Sequence, residues 1–451
     1  MFSNPPLQCR SGCRPGSVFY GLRSKEYHHD QERLRLPSVQ EKRPTQPQIV
    51  HVSYHDPAQL GGGQGWAVLN LCKEQAKRGE PVYWISPCIK EEKPGEYLYE
   101  NGLLRVIKIK FIGEAVQTLF ADDEQTHSLR MQFGDVFVKK IKECFNPKSF
   151  CVHLHGSIEV PRHSAELRAY GYKVISTFHM LLSTRNQCLA NDPDTIKRLR
   201  KSEKIAIDGS SIITVPSKGM EEDIMDVSPG YKGAIYRIPN GVGEEHFSPL
   251  PLHSKSSSRH TILSYGRISP EKGLDLFVAS AKQFMKKMSS EEQSMYQFLV
   301  FGNTDLTIEA RRLYAENLEK SAQEYPNIRI LASAKGIVGT EKINLIDQAS
   351  FGVILSLYEP FGMVIPELMA RGKPVITTLT AGTKDIMQTG QYGRNDFGFV
   401  VEPTVASVAE AIEWMVRHPQ ELEEMSKNAH ARSKDYQWKN IADRFYDLYR
   451  H

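Results

Sequence analysis

Short apolar runs alternate along the chain with longer stretches whose apolar residues recur every three or four positions, beginning at "PQIVHVSYH". That run reads as a buried strand, "WAVLNLCKEQAKRG" as an amphipathic helix that stops at Gly79, and "PVYWISP" as the next strand. The glycine-rich "DPAQLGGGQG" separates the first strand from the helix, which is the order of a βαβ unit. Further strands are expected at "LLRVIKIKF", "SFCVHLHG", "YKVISTFH", "SIITVPS" and "AIYRIPNG", with helical patterns between them. Apolar strands spaced by amphipathic helices predict a doubly wound parallel sheet.

A second alternation follows. Strands are expected at "TILSYGRI", "YQFLVFGN", "NIRILAS", "SFGVILSL", "KPVITTL" and "GFVVEP", and helices at "GLDLFVASAKQFMKKM" and "IEARRLYAENLEKSAQEY". The Pro- and Ser-rich "FSPLPLHSKSSSRH" between the two alternations predicts a domain boundary. The expected organisation is a polar, disordered arm (1–46), an α/β domain (47–250), a second α/β domain (251–433) and a terminal helix, "YQWKNIADRFYDLYR", packing back on the body (434–451). Two such domains in tandem leave a cleft between the C-terminal ends of their sheets, where ligands bind in these folds.

Composition narrows the class without choosing a function. The chain has 451 residues, 40% hydrophobic and 24% charged, as in soluble globular proteins. No apolar run reaches the roughly 18–20 residues of a membrane span. A formal charge of +4 is mild for this length and requires no nucleic-acid partner. Seven cysteines, none beyond Cys188 and none in a CxxC pair, fit reduced, buried thiols of a cytoplasmic enzyme better than a disulfide framework or zinc site.

Candidate chemistry sits at the strand ends. Gly61, Gly62 and Gly63 open a helix after a strand, where bare backbone and helix N–H groups can meet anionic oxygens. The second strand ends in Ser86-Pro87, not in the acidic residue an NAD site would want. "GRISPEKG" places Arg267 and Lys272 just past the first strand of the second domain, as suits a diphosphate leaving group. "HLHGS" is expected to put His153 and His155 on alternate sides of a strand end, one toward the cleft and one toward the core, with His179 in a similar position after "VISTF". In "SLYEPFGMVIPELMARGKPVIT" a helix is expected from near Pro366, with Glu367 in its first turn and Glu359 ahead of the loop "PFGM". Two carboxylates across an uncharged loop can each accept from a pair of sugar hydroxyls, and the loop N–H groups can serve the phosphate between them. Asp192-Pro193-Asp194 has the letters of a metal-binding DxD, but it leads into the helical "TIKRLRKSEK" and reads as a cap. No metal and no resident cofactor are expected.

Taken together these motifs resemble the family-4 retaining glycosyltransferases, whose fold is GT-B: two Rossmann-like doubly wound domains facing across a cleft. The resemblance rests on Glu359-x7-Glu367 within "EPFGMVIPE", on "RIPNGVGEEHFSP", on "YGRISPEKGLD" and on "GKPVITT", in the family's order. It implies transfer of a sugar from a nucleotide-diphosphate sugar to an acceptor hydroxyl with retained configuration. It further implies that Arg267 and Lys272 hold the diphosphate, Glu367 the ribose hydroxyls and Glu359 the transferred sugar. Phe361, Gly362 and Met363 would offer backbone N–H groups, His155 would sit beside the sugar, and Gly62 and Gly63 near the diphosphate and acceptor. Gly243, "FGNTD" and Ala381-Gly382 depart from the family's usual wording. The alternatives are an epimerase or phosphorylase of the same fold, or an idle sugar-nucleotide-binding protein. The acceptor, whether a small molecule, lipid-linked or a glycan, is left open. The basic helices "FGDVFVKKIKECF" and "IKRLRKSEK" could lie on an anionic bilayer, yet ordinary helices packed on a sheet share the pattern, and that reading is favoured.

Overall fold

The computed structural model describes residues 47–55, 62–88, 93–110, 124–247, 260–286, 288–304, 309–333 and 336–450. The N-terminal arm with Cys9 and Cys13, the first part of the glycine loop including Gly61, and most of the Pro/Ser-rich connection lie outside these residues.

The described strands form two sheets. The first holds β1 (Gln48–Val52), β2 (Val82–Pro87), β3 (Gly95–Tyr99), β4 (Leu104–Ile109), β5 (Phe150–Gly156), β6 (Lys173–Phe178), β7 (Ile212–Val215) and β8 (Ala234–Arg237), in the order β3-β4-β2-β1-β5-β6-β7-β8. The second holds β9 (His260–Tyr265), β10 (Tyr296–Asn303), β11 (Ile328–Ser333), β12 (Phe351–Ile354), β13 (Val375–Thr378), β14 (Gly393–Asn395) and β15 (Gly398–Val401), in the order β11-β10-β9-β12-β13-β15-β14. Both are parallel except at one edge, where β3 runs against β4 and β14 against β15. Those two edge strands escaped the sequence reading, because "GEYLY" and "GRN" lack the apolar run of a strand covered on both faces.

Strand order decides where a ligand can enter. In each sheet the first strand is the switch point: β1 has β2 on one side and β5 on the other, and β9 has β10 and β12. The loops that follow β1 and β5, and those that follow β9 and β12, therefore diverge and leave a crevice at the sheet's C-terminal edge.

The terminal helix Trp438–Arg450 leaves the second domain and packs on the first. Trp438, Ile441, Phe445, Tyr446 and Tyr449 share one buried stripe, set against Ala67, Leu71, Ile49 and Cys151. Of the described thiols, Cys72 and Cys151 are buried as expected, whereas Cys188 is exposed.

The basic helix Glu124–Cys144 spends its apolar face internally. Phe133, Phe137 and Ile141 are fully buried against the first sheet, while Lys142 pairs with Glu166 at 2.7 Å and Lys139 points outward. No helix among the described residues is long and apolar enough to cross a membrane. Because Phe133, Phe137 and Ile141 are spent on the sheet, we expect the protein to stay in the supernatant with anionic liposomes at physiological salt. Salt-sensitive co-sedimentation abolished by Lys139→Ala/Lys140→Ala/Lys142→Ala would reverse that expectation and point to a lipid-linked acceptor.

Candidate active site

The two crevices face each other and their loops touch. Gly62 has φ +105° and ψ −177°, a backbone only glycine adopts readily, and a Cβ there would lie 3.1 Å from Arg267 Nη2. A Cβ on Gly63 would lie 3.3 Å from Met363 Sδ. The glycine turn after β1 thus abuts both the loop after β9 and the loop after β12. Beside this contact, Arg185 of the first domain reaches Glu271 at 3.2 Å, and Glu271 also lies 3.8 Å from Arg267. Burial pushes the Glu271 carboxyl up, but Arg185 and Arg267 outweigh it and hold the group at about 2. The phosphate-loop candidate is therefore fixed by a buried charge network that spans the domains. Further along the seam Tyr358 Oη accepts from the Leu181 N–H at 3.0 Å, and Ser217 Oγ donates to the Pro360 carbonyl at 2.7 Å.

Glu359 and Lys272 meet directly. Lys272 Nζ donates to Glu359 Oε2 at 2.5 Å, and Ser356 Oγ lies 3.3 Å from the same oxygen. The N–H groups of Phe361, Gly362 and Met363 donate to no other group among the described residues. Gly362, at φ +93°, turns the chain so that these amides precede the helix Val364–Ala370. That helix starts two residues ahead of the expected Pro366, and Glu367 does lie in its first turn.

Glu367 has its own set of partners. Tyr265 Oη donates to Glu367 Oε2 at 2.8 Å, Lys342 Nζ sits 3.1 Å from that oxygen and His246 Nε2 4.0 Å. Burial raises the carboxyl's pKa, yet Lys342, His246 and the Tyr265 hydroxyl together bring it below its ordinary value, so it is ionised at neutral pH. Glu359 and Glu367 thus sit at opposite ends of the loop in separate surroundings, one on Lys272 and the other on Tyr265 and Lys342.

The histidines require a correction. His153 and His155 do not face opposite ways: both are buried, with ring centroids 4.0 Å apart on the same side of β5. The period of a strand is two, so residues i and i+2 share a face. Both ring nitrogens of His155 are already engaged, Nε2 with His51 Nδ1 at 2.9 Å and Nδ1 with His179 Nε2 at 3.1 Å. His179 Nδ1, by contrast, is buried and has no hydrogen-bond partner. Burial lowers the pKa of His179 to about 3 and of His51 to about 4, and holds His155 and His153 well below the usual range, so the cluster is neutral. His51, His153 and His155 are close enough to hold a metal ion, but every ring nitrogen of the three already has a hydrogen-bond partner. Asp192 caps the helix Pro193–Gly209 by accepting from the Thr195 N–H at 2.8 Å, as its sequence context implied.

Arg185, Tyr265, Lys342 and His51 extend the site beyond the residues the motifs picked out, whereas His179 stands out in the sequence beside the other two histidines. A histidine in the apolar "QIVHV" was a visible signal, since a buried polar residue needs a partner. Lys342 carried none; its helix, Gly339–Gln348, is unremarkable in sequence.

The comparisons with known proteins bear on the fold and the class of protein. A family model described as "Glycosyltransferase Family 4" matches residues 61–246, and one described as "Glycosyl transferases group 1" matches residues 252–432. A probable sucrose-phosphate synthase from Thermosipho melanesiensis is 24% identical over 86% of this chain and 90% of its own length. A glycogen synthase from Mycobacterium tuberculosis is 22% identical over 87% of this chain and 92% of its own. The solved structure of a sucrose-phosphate synthase from Thermosynechococcus elongatus superposes with a TM-score of 0.74 at 21% identity, over 90% of this chain and 98% of that one. Likeness at that level establishes a shared fold, here GT-B.

Proposed function

We infer that this chain, which the family matches and relatives support as a glycosyltransferase of the GT-B fold, transfers a sugar from a nucleotide-diphosphate sugar to an acceptor hydroxyl with retention at the anomeric carbon. The observation that carries the reading is the meeting of Gly62, Arg267, Lys272 and Glu359 at the facing switch points of two sheets. Arg267 and Lys272 hold the diphosphate, and their charge counts most as the sugar–phosphate bond lengthens and negative charge collects on the leaving oxygen. Glu367, kept ionised by its neighbours, takes the ribose hydroxyls, and Glu359 with the amides of Phe361, Gly362 and Met363 takes the sugar. His179 Nδ1, the ring nitrogen of the His51–His155–His179 chain left without a partner, accepts from a sugar hydroxyl, with His155 behind it.

The step balances without a protein base. The bond from C1 to the phosphate oxygen breaks and a bond from C1 to the acceptor oxygen forms on the same face. The acceptor's proton passes to the departing phosphate. Two fixed cations supply the charge stabilisation that a divalent ion would otherwise provide, so the proposed chemistry is metal-independent and needs no cofactor beyond the donor. The acceptor is proposed to be a small sugar phosphate, because the product for which the Thermosipho relative is named, sucrose phosphate, carries a phosphate.

The test is a matrix of nucleotide sugars against free sugars, sugar phosphates and glucans, read by mass spectrometry, with the anomeric configuration of the product read by NMR. Acceptor-dependent nucleotide release with retained configuration is expected, unchanged by EDTA. Inversion would remove the mechanism, and loss on chelation restored by manganese would replace the cation roles given to Arg267 and Lys272. Donor binding without transfer to any acceptor would favour the idle binding protein.

A further inference from the structure

The site histidines are one end of a longer, buried hydrogen-bonded chain. Gln75, on the helix Gly63–Ala76, is fully buried and divides its amide between two branches. Its Oε1 lies 2.7 Å from His51 Nε2, and its Nε2 donates to Tyr449 Oη at 3.1 Å. One branch runs His51, His155, His179 through contacts of 2.9 and 3.1 Å. The other runs from Tyr449 Oη to His153 Nδ1 at 2.7 Å, then from His153 Nε2 to Thr177 Oγ1 at 2.6 Å and on to Thr214.

A neutral imidazole has one N–H and one lone pair, so each link dictates the next. The Gln75 carbonyl can only accept, hence His51 carries its proton on Nε2 and accepts at Nδ1. His155 must then donate from Nε2 and accept at Nδ1, and His179 must donate from Nε2. Nothing remains for His179 Nδ1 but a lone pair, and that is the buried atom without a partner. The second branch obeys the same rule: the Gln75 amide N–H fills one lone pair of Tyr449, whose O–H then donates to His153 Nδ1. Reversing the amide would reverse every link and turn His179 Nδ1 into a donor.

We propose that Gln75 and Tyr449 are positioning residues that fix the proton order of the His51–His155–His179 chain, so that His179 presents an acceptor rather than a donor at the domain seam. Both act through the histidines, since their side-chain hydrogen bonds run to His51, to each other and to His153. The proposal rests on the functional reading only for the identity of the hydroxyl that His179 meets; the proton order stands on the hydrogen bonds alone. It also gives the returning terminal helix a part in the site, since Tyr449 lies on that helix, more than 290 residues from His153 in sequence.

The experiment uses the full chain labelled with 15N in its imidazoles, with His179 resonances assigned through His179→Gln. Long-range 1H–15N spectra are expected to show Nε2–H tautomers at His51, His153, His155 and His179. In Gln75→Leu the order loses its anchor, and His179 should become a mixture or an Nδ1–H tautomer. Tyr449→Phe, a milder change, frees the amide to turn and should shift His179 the same way. With any donor the wild type turns over, kcat should fall about tenfold in both variants while the donor KM changes little. An Nδ1–H tautomer at His179 in the wild type, or tautomers unmoved in both folded variants, would overturn the proposal. Tautomers that follow Gln75 in a protein that transfers no sugar would uphold the order and remove the glycosyltransferase reading instead.

Discussion

Lys272→Ala is expected to lower kcat on the order of 10²- to 10³-fold while raising the donor KM far less, because a fixed donor aimed at developing charge acts mainly in the transition state. Arg267→Ala should follow the same pattern. Its guanidinium is braced by Glu271, which Arg185 holds from the other domain, so Arg185→Ala is expected to reproduce part of the Arg267 defect without touching the donor. Steady-state kinetics with the best donor, together with nucleotide affinity by calorimetry, separate the two effects. A loss of affinity that equals the loss of kcat/KM would show that the cations bind ground state and transition state alike, and the leaving-group role would fail.

How far could the sequence be read? The parallel core was legible because β1, β2, β5, β9, β10 and β12 are short apolar runs between amphipathic helices, a pattern that the central strands of a doubly wound sheet impose. The two antiparallel edge strands were not, because β3 and β14 are covered on one side at most and carry polar residues. At the site, Arg267, Lys272, Glu359 and Glu367 stood out through their place after strands, and the chain folds so that Lys272 and Glu359 touch. What brings Gly62 to Arg267, or Lys342 to Glu367, is the docking of one sheet on another. No local pattern encodes that. The histidines were visible but wrongly turned: strand period puts His153 and His155 on one face, and the partners that engage them come from the helix Trp438–Arg450 as well as from the neighbouring strands and the residue just past one of them.

Glu359→Gln and Glu367→Gln are expected to fail differently. A charge-assisted hydrogen bond contributes about 1.5–3 kcal/mol, so losing one should cost roughly 10- to 100-fold in kcat/KM. For Glu367→Gln the loss should appear in the donor KM, since the ribose hydroxyls are held equally before and during reaction, and Lys342 would be left without its charge partner at 3.1 Å. For Glu359→Gln it should appear in kcat, because this carboxylate both meets the sugar and holds Lys272 at 2.5 Å. The contact makes a further demand. Side chains that share an ion pair do not contribute independently, so Lys272→Ala/Glu359→Gln should lose less than the product of the two single losses. Lys272→Ala/Glu367→Gln, joined by no shared partner, should lose close to the product. Wild-type kinetics in both single glutamate variants would remove the site, whereas equal coupling in both double variants would remove the division of labour between the two carboxylates.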